Sequence, residues 1–324
     1  MFEYICGGGF VGQPLPPSLA AEGGMMLEAL LADLLMLDGV ELCVPMDARC
    51  AKPDLPNGAI VTVGPGQDLN RLLADLLTDV DLFWPIAPET DGILQSLVEL
   101  AGNANVQVLA SNTDTLAICA NKWQTCRALA RHSIPAVETR YLDAGGAGLG
   151  DEVVIKIADG VGCADSRVIG KARLPAAIAE FKSPRAYVMQ PYLKGQPASL
   201  SCLFKHGQAW LLCYNHQQID LHQGRFALRG CLVNAPSSLL NYYRDLLSKI
   251  AAALPGLWGY VGVDIIEHAA LGPLVLEINP RLTTSYTGIR RATGINVAEQ
   301  VLRLMDGDPL LNVPCNQPIQ ISIP

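Results

Sequence analysis

Apolar positions in the first third of the chain alternate between two spacings. Short runs at 4–6, 40–44, 59–63, 80–84 and 106–110 are rich in β-branched and aromatic residues and read as strands. Between them, 19–37, 69–77 and 92–101 place apolar side chains at helical intervals. Helices between strands favour parallel pairing, which needs a long crossover, so this part is predicted to be an α/β layer. Beyond it the pattern changes. One long helix is predicted over 114–131, followed by extended runs at 153–157, 188–192, 199–204, 210–214, 260–266 and 274–278. That part reads as α+β with mostly antiparallel sheets. The glycine-rich stretch 144–150 is too short for a domain linker and reads as a turn. The predicted fold class is therefore α/β plus α+β, in a chain of 324 residues that suits two or three domains.

The most informative segment is residues 259–281, GYVGVDIIEHAALGPLVLEINPR. Two strand-like runs flank a stretch ending in Gly272 and Pro273, which suit a turn, so a hairpin is predicted. Pairing Glu267 with Leu274 carries a regular register to Asp264 opposite Glu277. Like charges so placed repel, and in strands otherwise made of Val, Ile, Leu and Gly they call for a cation or a shared proton. Asn279 lies two residues beyond Glu277 and so shares its face. Oxygen ligands converging in this way suit Mg²⁺, which completes its shell with water and substrate phosphates, with Mn²⁺ as an alternative. Arg281 then stands where a guanidinium could grip a phosphate or carboxylate. The competing reading is a solvated hairpin face carrying two acids.

Composition narrows the partners. The formal net charge is −8, and no cluster of cations is evident, which argues against nucleic acid. The apolar stretch 25–37 is broken by Glu28 and Asp33 and is too short for a bilayer, so no membrane span is expected. The N-terminal residues carry neither the positive region nor the apolar run of a signal peptide, and a cytoplasmic location is expected. Ten cysteines occur singly, without CxxC pairs, and read as reduced core thiols. Gly7, Gly9 and Gly12 satisfy GxGxxG after a strand, but Pro14, Pro16 and Pro17 are expected to keep a helix from opening there. A flexible glycine loop is the preferred reading over dinucleotide binding.

With these residues in view, the chain resembles the ATP-grasp superfamily, whose signature ends in an acid, a short hairpin and a Glu-x-Asn-x-Arg run. Here that run is Glu277, Asn279 and Arg281, with Asp264 upstream. The resemblance implies an ATP-grasp fold preceded by a Rossmann-like parallel α/β N-terminal domain. The expected division is 1–111, then a linker helix and lid subdomain at 112–188, then 189–324 with the metal site. It also implies that Lys122 and Lys156 bind phosphate and that Asp264, Glu277 and Asn279 hold the metal. Without the family argument, Lys122 reads as a solvated helix lysine, whereas Lys156 is better supported and an edge-strand gatekeeper is its competing reading. Lys156 precedes Gly160 and Gly162, which allow an anion-binding nest. VMQPYLKG at 188–195 looks like the hinge over adenine, assigning Met189, Gln190, Pro191 and Tyr192 to the nucleotide and Gln196 to its ribose. Gln190–Pro191, Gln196 and Asn121 depart from the family's acidic residues there, which bears on nucleotide affinity and base preference.

The whole-chain pattern is similar to the tyramine–glutamate ligase group of methanofuran-type cofactor biosynthesis. The segments that carry this likeness are EYICGGG, AEGGMMLEALLADL, WPIAPETDGIL, CYNHQQI and EINPRLTTSYTG. The likeness implies an ATP-dependent carboxylate–amine ligase that works through an acyl phosphate, with Lys156 and Arg281 as catalytic residues. Its partners would be a small carboxylate and a small amine. Thr283, Thr284 and Ser285 are assigned to the acid, and Glu22 and Glu89 to a cationic amine or amino acid. The hydroxyl residues also suit a plain turn, and each of the two acids suits a surface or helix-start position. A homodimer is compatible with this reading, and the oligomeric state is left open. The alternative in another class is an ATP-binding regulatory or degenerate module without turnover.

Overall fold

The computed structural model describes residues 1–323 except 57, 163–165, 182, 184 and 185. Its first third contains β1 (Phe2–Glu3), α1 (Pro17–Leu34), β2 (Val44–Asp47), β3 (Ile60–Val63), α2 (Leu69–Leu76), β4 (Leu82–Phe83), β5 (Pro85–Ile86), α3 (Ile93–Asn103) and β6 (Gln107–Val108). The pairs β1–β5, β2–β3 and β4–β6 are all parallel; helices lie between the partners of the first and third pairs, and an irregular crossover joins β2 to β3. The strand expected at 4–6 instead stops at Glu3, and Ile5–Gly9 forms a wide helical turn. The Glu3 carboxylate causes this, because it accepts the amides of Ile5 and Cys6 at 3.1 and 2.6 Å and draws the chain round. Gly7, Gly8 and Gly9 are packed rather than loose, whereas a Cβ on Gly12 would meet open space. A Cβ on Gly7 would sit 2.5 Å from the Phe2 ring, and Gly8 has φ of +107°. The prolines do not exclude a helix either, since α1 opens with Pro17 in its first turn, where no amide donor is needed.

The helix predicted over 114–131 is two, α4 (Thr113–Ala120) and α5 (Lys122–Arg131). They meet at Asn121, whose extended backbone (φ −110°, ψ 111°) ends the first and whose side chain caps the second. Next come β7 (Arg140–Tyr141), β8 (Glu152–Ile157), β9 (Arg167–Gly170), α6 (Leu174–Glu180) and β10 (Tyr187–Pro191). They share a small core of Leu142, Leu149, Val153, Ile155, Leu174 and Met189.

The remainder is β11 (Gly195–Lys205), β12 (Gln208–His222), β13 (Arg225–Val233), α7 (Leu240–Ala253), β14 (Gly259–His268), β15 (Gly272–Asn279), α8 (Tyr286–Thr293), α9 (Val297–Arg303) and β16 (Ile319–Ser322). The antiparallel strand order is β15-β14-β11-β12-β13-β9-β8-β10-β7, with β16 on β13. Among the described residues β13 meets β9 only where Arg225 faces Arg167, so the small sheet hangs from the large one at a corner.

One face of the large sheet is covered by α4, α5 and α7, where Leu129, Leu247 and Ile250 pack on Leu200 and Phe204. Elsewhere Leu30 and Leu34 of α1 share a core with Ile289, Val297 and Val301 of α8 and α9. No helix among the described residues is long and apolar enough to cross a membrane. The described cysteines are all free thiols; Cys315 is exposed, contrary to the expectation of core thiols throughout, and Cys163 lies outside the described residues.

Candidate active site

The β14–β15 hairpin brings Asp264 opposite Glu277. Nearer its tip, Glu267 faces Pro273 and Ile266 faces Leu274, one residue off the regular register expected from the sequence. A bulge at Leu276 makes up the difference. It also has a local effect. Consecutive strand residues normally face opposite sides, yet Leu276 and Glu277 both line the same cavity. Asn279 is buried and donates from Nδ2 to Asp264 Oδ2 at 3.3 Å, and Gln217 of β12 donates from Nε2 to Asp264 Oδ1 at 3.0 Å.

The two acids are electrostatically unequal. Burial, and then the charge of Glu277, push the Asp264 carboxyl well above its ordinary value. Burial would also raise Glu277, but the ammonium groups of Lys122 and Lys156 hold it below the usual range. Lys122 Nζ lies 3.2 Å from Glu277 Oε2 and also donates to the Gly160 carbonyl. Its backbone amide donates to the Ala158 carbonyl at 3.0 Å, so the start of α5 is tied to the glycine loop twice. The break at Asn121 makes this possible by placing Lys122 at a helix start, buried, rather than on a solvated helix flank. Lys156 sits on β8 opposite Val188 and lines the same cavity as Asp264 and Glu277.

That cavity, about 380 Å³, lies between the two sheets. Its polar end is Lys156, Asp264, Glu277 and Gly162, and its apolar walls include Val154, Ile219, Phe226 and Leu276. Gln190, Pro191 and Tyr192 line it, as do Leu193 and Lys194, which were not singled out from the sequence. Two assigned residues lie elsewhere. Met189 points into the small-sheet core, because strand alternation turns it away from its neighbours, and Gln196 is an exposed side chain bonded to the Pro197 carbonyl. Gln190 reaches Thr139 Oγ1 at 2.9 Å.

Residues 119–285 match the family model described as an ATP-grasp domain, and residues 40–116 match the pre ATP-grasp 3 domain. This chain belongs to the ATP-grasp family. The tyramine–L-glutamate ligase of Methanocaldococcus fervens is 26% identical over 311 residues, covering 95% of this chain and 94% of that relative. The same-named enzyme of Methanocaldococcus jannaschii is 27% identical over 315 residues, covering 95% and 89%. An ATP-grasp superfamily protein from Archaeoglobus fulgidus superposes with a TM-score of 0.73 at 23% identity, over 99% of this chain and 90% of that one. The likeness shows the same fold.

In this ATP-grasp chain, Arg281 connects the hairpin to the N-terminal part. Its Nε donates to Glu89 Oε2 at 3.0 Å, and its Nη1 donates to the Leu282 carbonyl at 3.0 Å. Glu89 is thus the partner of Arg281 rather than a cavity wall, and its Oε1 is buried with no hydrogen-bond partner among the described residues. Thr283 and Ser285 belong to a hydroxyl network with Tyr260 and Ser201, at 3.0–3.1 Å. Gly262 makes room for it, since a Cβ there would lie 2.6 Å from the Thr283 methyl. Thr284 instead donates to Glu22 of α1.

Beside the acids is a small polar cavity of about 80 Å³, lined by Arg281, Thr283, Thr284, Ser285 and Glu22. A larger one, about 400 Å³, opens on the far side of Arg281 and Gly162 toward α1 and the wide turn. Gly162 borders all three cavities, with φ of +61° and open space where a Cβ would project.

Proposed function

We propose that this ATP-grasp chain joins glutamate to a tyramine-like amine, in methanofuran-type cofactor biosynthesis. It is an ATP-dependent carboxylate–amine ligase acting on small molecules, and the substrate pair follows the relatives' names, which extend over 95% of the chain. The observation that carries the site is the position of Arg281, which borders both the polar cavity beside Asp264 and Glu277 and the larger cavity beyond. An acyl phosphate formed at the first can be attacked from the second.

The nucleotide would lie in the cavity between the sheets, its base against Phe226 and Ile219 and its phosphates toward Lys122, Lys156 and the Gly160–Gly162 loop. Asp264, Glu277 and Asn279 would hold Mg²⁺, or Mn²⁺. Their fit rests on the donor set: all can offer oxygen, and two acids crowd each other until one is forced toward its neutral form. The ion would neutralise phosphate charge during transfer. The substrate carboxylate attacks the γ-phosphorus and ADP leaves. Lys156 balances charge on the phosphoryl group, and Arg281 grips the acyl phosphate and the tetrahedral species that follows. Thr283, Thr284 and Ser285 orient the acid, and the cavity walls restrict water.

In this reading residues 1–111, 112–188 and 189–324 are the working units, and the enzyme acts in the cytoplasm. The test is ADP release with glutamate plus tyramine. Glu277→Gln and Lys156→Ala are each expected to abolish it with circular dichroism unchanged, and near-wild-type turnover in both would reject the site. Tight Mg-ATP binding without turnover on any acid–amine pair would instead favour a non-catalytic nucleotide-binding module.

A further inference from the structure

The 400 Å³ cavity has a composition that acid activation does not require. Tyr4, Phe10, Leu19, Met26 and Ile93 give it an apolar wall, and the Tyr4 and Phe10 rings meet edge to face at 6.2 Å. Its acidic and basic lining is lopsided. Glu3, Glu22 and Asp91 are acids, against the single cation Arg281 among the described lining residues. Such a site suits a molecule with a flat apolar body and one positive end, and disfavours an anionic amino acid. The volume is in the range of small-ligand pockets.

The acids are not equivalent. Glu3 is buried, its two oxygens accept backbone amides, and burial raises its pKa. Its role is to shape the turn. Asp91 lies at the exposed rim. Glu22 borders both the polar cavity and the apolar one, and its described hydrogen bond uses only Oε1. It stands where an amine nitrogen must arrive to reach an acyl group held at Arg281. The neighbouring Gly23 keeps the wall close, since a Cβ there would lie 2.8 Å from the Glu3 carboxyl.

We infer that this cavity is the amine subsite, that it takes a primary amine joined by a short chain to an aromatic ring, and that Glu22 receives the amine. The inference rests on the ligase reading above. The ammonium group docks on Glu22 and gives up one proton there. The nitrogen lone pair then attacks the acyl carbon, the carbon–oxygen bond to phosphate breaks, and inorganic phosphate leaves with the second proton. The amide keeps the third.

Calorimetry on the full chain with Mg-ADP, using 2-phenylethylamine, tyramine and n-butylamine, tests the subsite without turnover. The ring-bearing amines are expected to bind about tenfold or more tightly than n-butylamine, as burial of a ring implies. Leu19→Trp fills the cavity from an exposed position, so folding is not at stake, and should weaken ring-amine binding about tenfold. Phe10→Ala should weaken it in the same direction. Equal affinity for all three amines, or unchanged ring-amine binding in both variants, overturns the inference. Hydroxylamine, small enough to bypass the cavity, reports acid activation separately as hydroxamate formed from glutamate and ATP. In Leu19→Trp the KM for tyramine should rise about tenfold more than the KM for glutamate measured in this way; equal rises overturn the subsite. If no acid yields hydroxamate while ring-amine binding persists and responds to both variants, the ligase reading fails and the subsite stands.

Discussion

Arg281 has a charged partner in Glu89, and the pair is buried, with exposures of 13% and 5%. Removing one member of such a pair strands the other, typically at a cost of about 3–5 kcal/mol. Glu89→Ala is therefore expected to destabilise the chain by about 3 kcal/mol in urea titrations. Glu89→Gln keeps an acceptor but removes the charge that holds the guanidinium, and should lower kcat about tenfold with the KM for ATP changed less than about twofold. Asp264 supplies a pH signature. Its folded pKa is raised, so the folded state keeps a proton that the unfolded chain sheds above its ordinary 3.8, and metal-free stability falls as pH climbs from there through the raised value. Glu277, whose folded pKa is lowered, contributes stability above 4.5 that is lost only as pH drops through its folded value. Melting curves without metal should decline from about pH 4.5 to about pH 8, and Asp264→Asn should remove the decline. Mg²⁺ affinity should rise over the same interval, because the ion displaces that proton. The conflict of two acids on an apolar hairpin was readable from residue types alone. The partner of Glu89 was not, because nothing local links it to a residue 192 positions later.

At the scale of elements, sequence periodicity located most strands and helices but was blind to single-residue interruptions. The segment 114–131 carries helical spacing throughout, and only the capping side chain of Asn121 reveals the break. Asn121 accepts the amides of Trp123 and Gln124, each at 3.1 Å, which Asp would also do. Asn121→Ala is thus expected to cost about 1 kcal/mol through the lost cap, and to raise the KM for ATP by loosening Lys122, whereas Asn121→Asp should retain stability. The bulge at Leu276 escaped for a related reason. A hairpin register extrapolated from its tip assumes regular pairing, and the tip and the acids here obey registers one residue apart. Asp264 still faces Glu277 because the predicted tip pairing was itself displaced by the same step. Met189 was misplaced because a motif gives positions along a strand, while the face is set by the packing of the small sheet; Gln196, at the start of β11 in the large sheet, turns to solvent instead.

For the whole molecule, the contacts that matter join distant parts of the chain. Residues 281–290 are held largely from the N-terminal part: Arg281 by Glu89, Thr284 by Glu22, and Tyr286 and Arg290 by Asp33, at 2.7 and 3.2 Å for the last two. Beneath them, Leu30, fully buried, shares a core with Ile289 and Val297. Leu30→Ala is expected to cost about 2–5 kcal/mol, seen as a lower urea midpoint at unchanged slope, and to raise the KM for the amine as α1 and its Glu22 lose their seat. The parallel pairing of the first third and the antiparallel pairing of the rest were foreseeable from the order of elements, but this docking was not. It also imposes an order of events on synthesis. A nascent chain emerging from the ribosome carries Glu22, Asp33 and Glu89 long before their partners exist, so the segment 281–290 takes its shape only once it has itself emerged. A chain arranged in this way cannot complete that segment while it is half made.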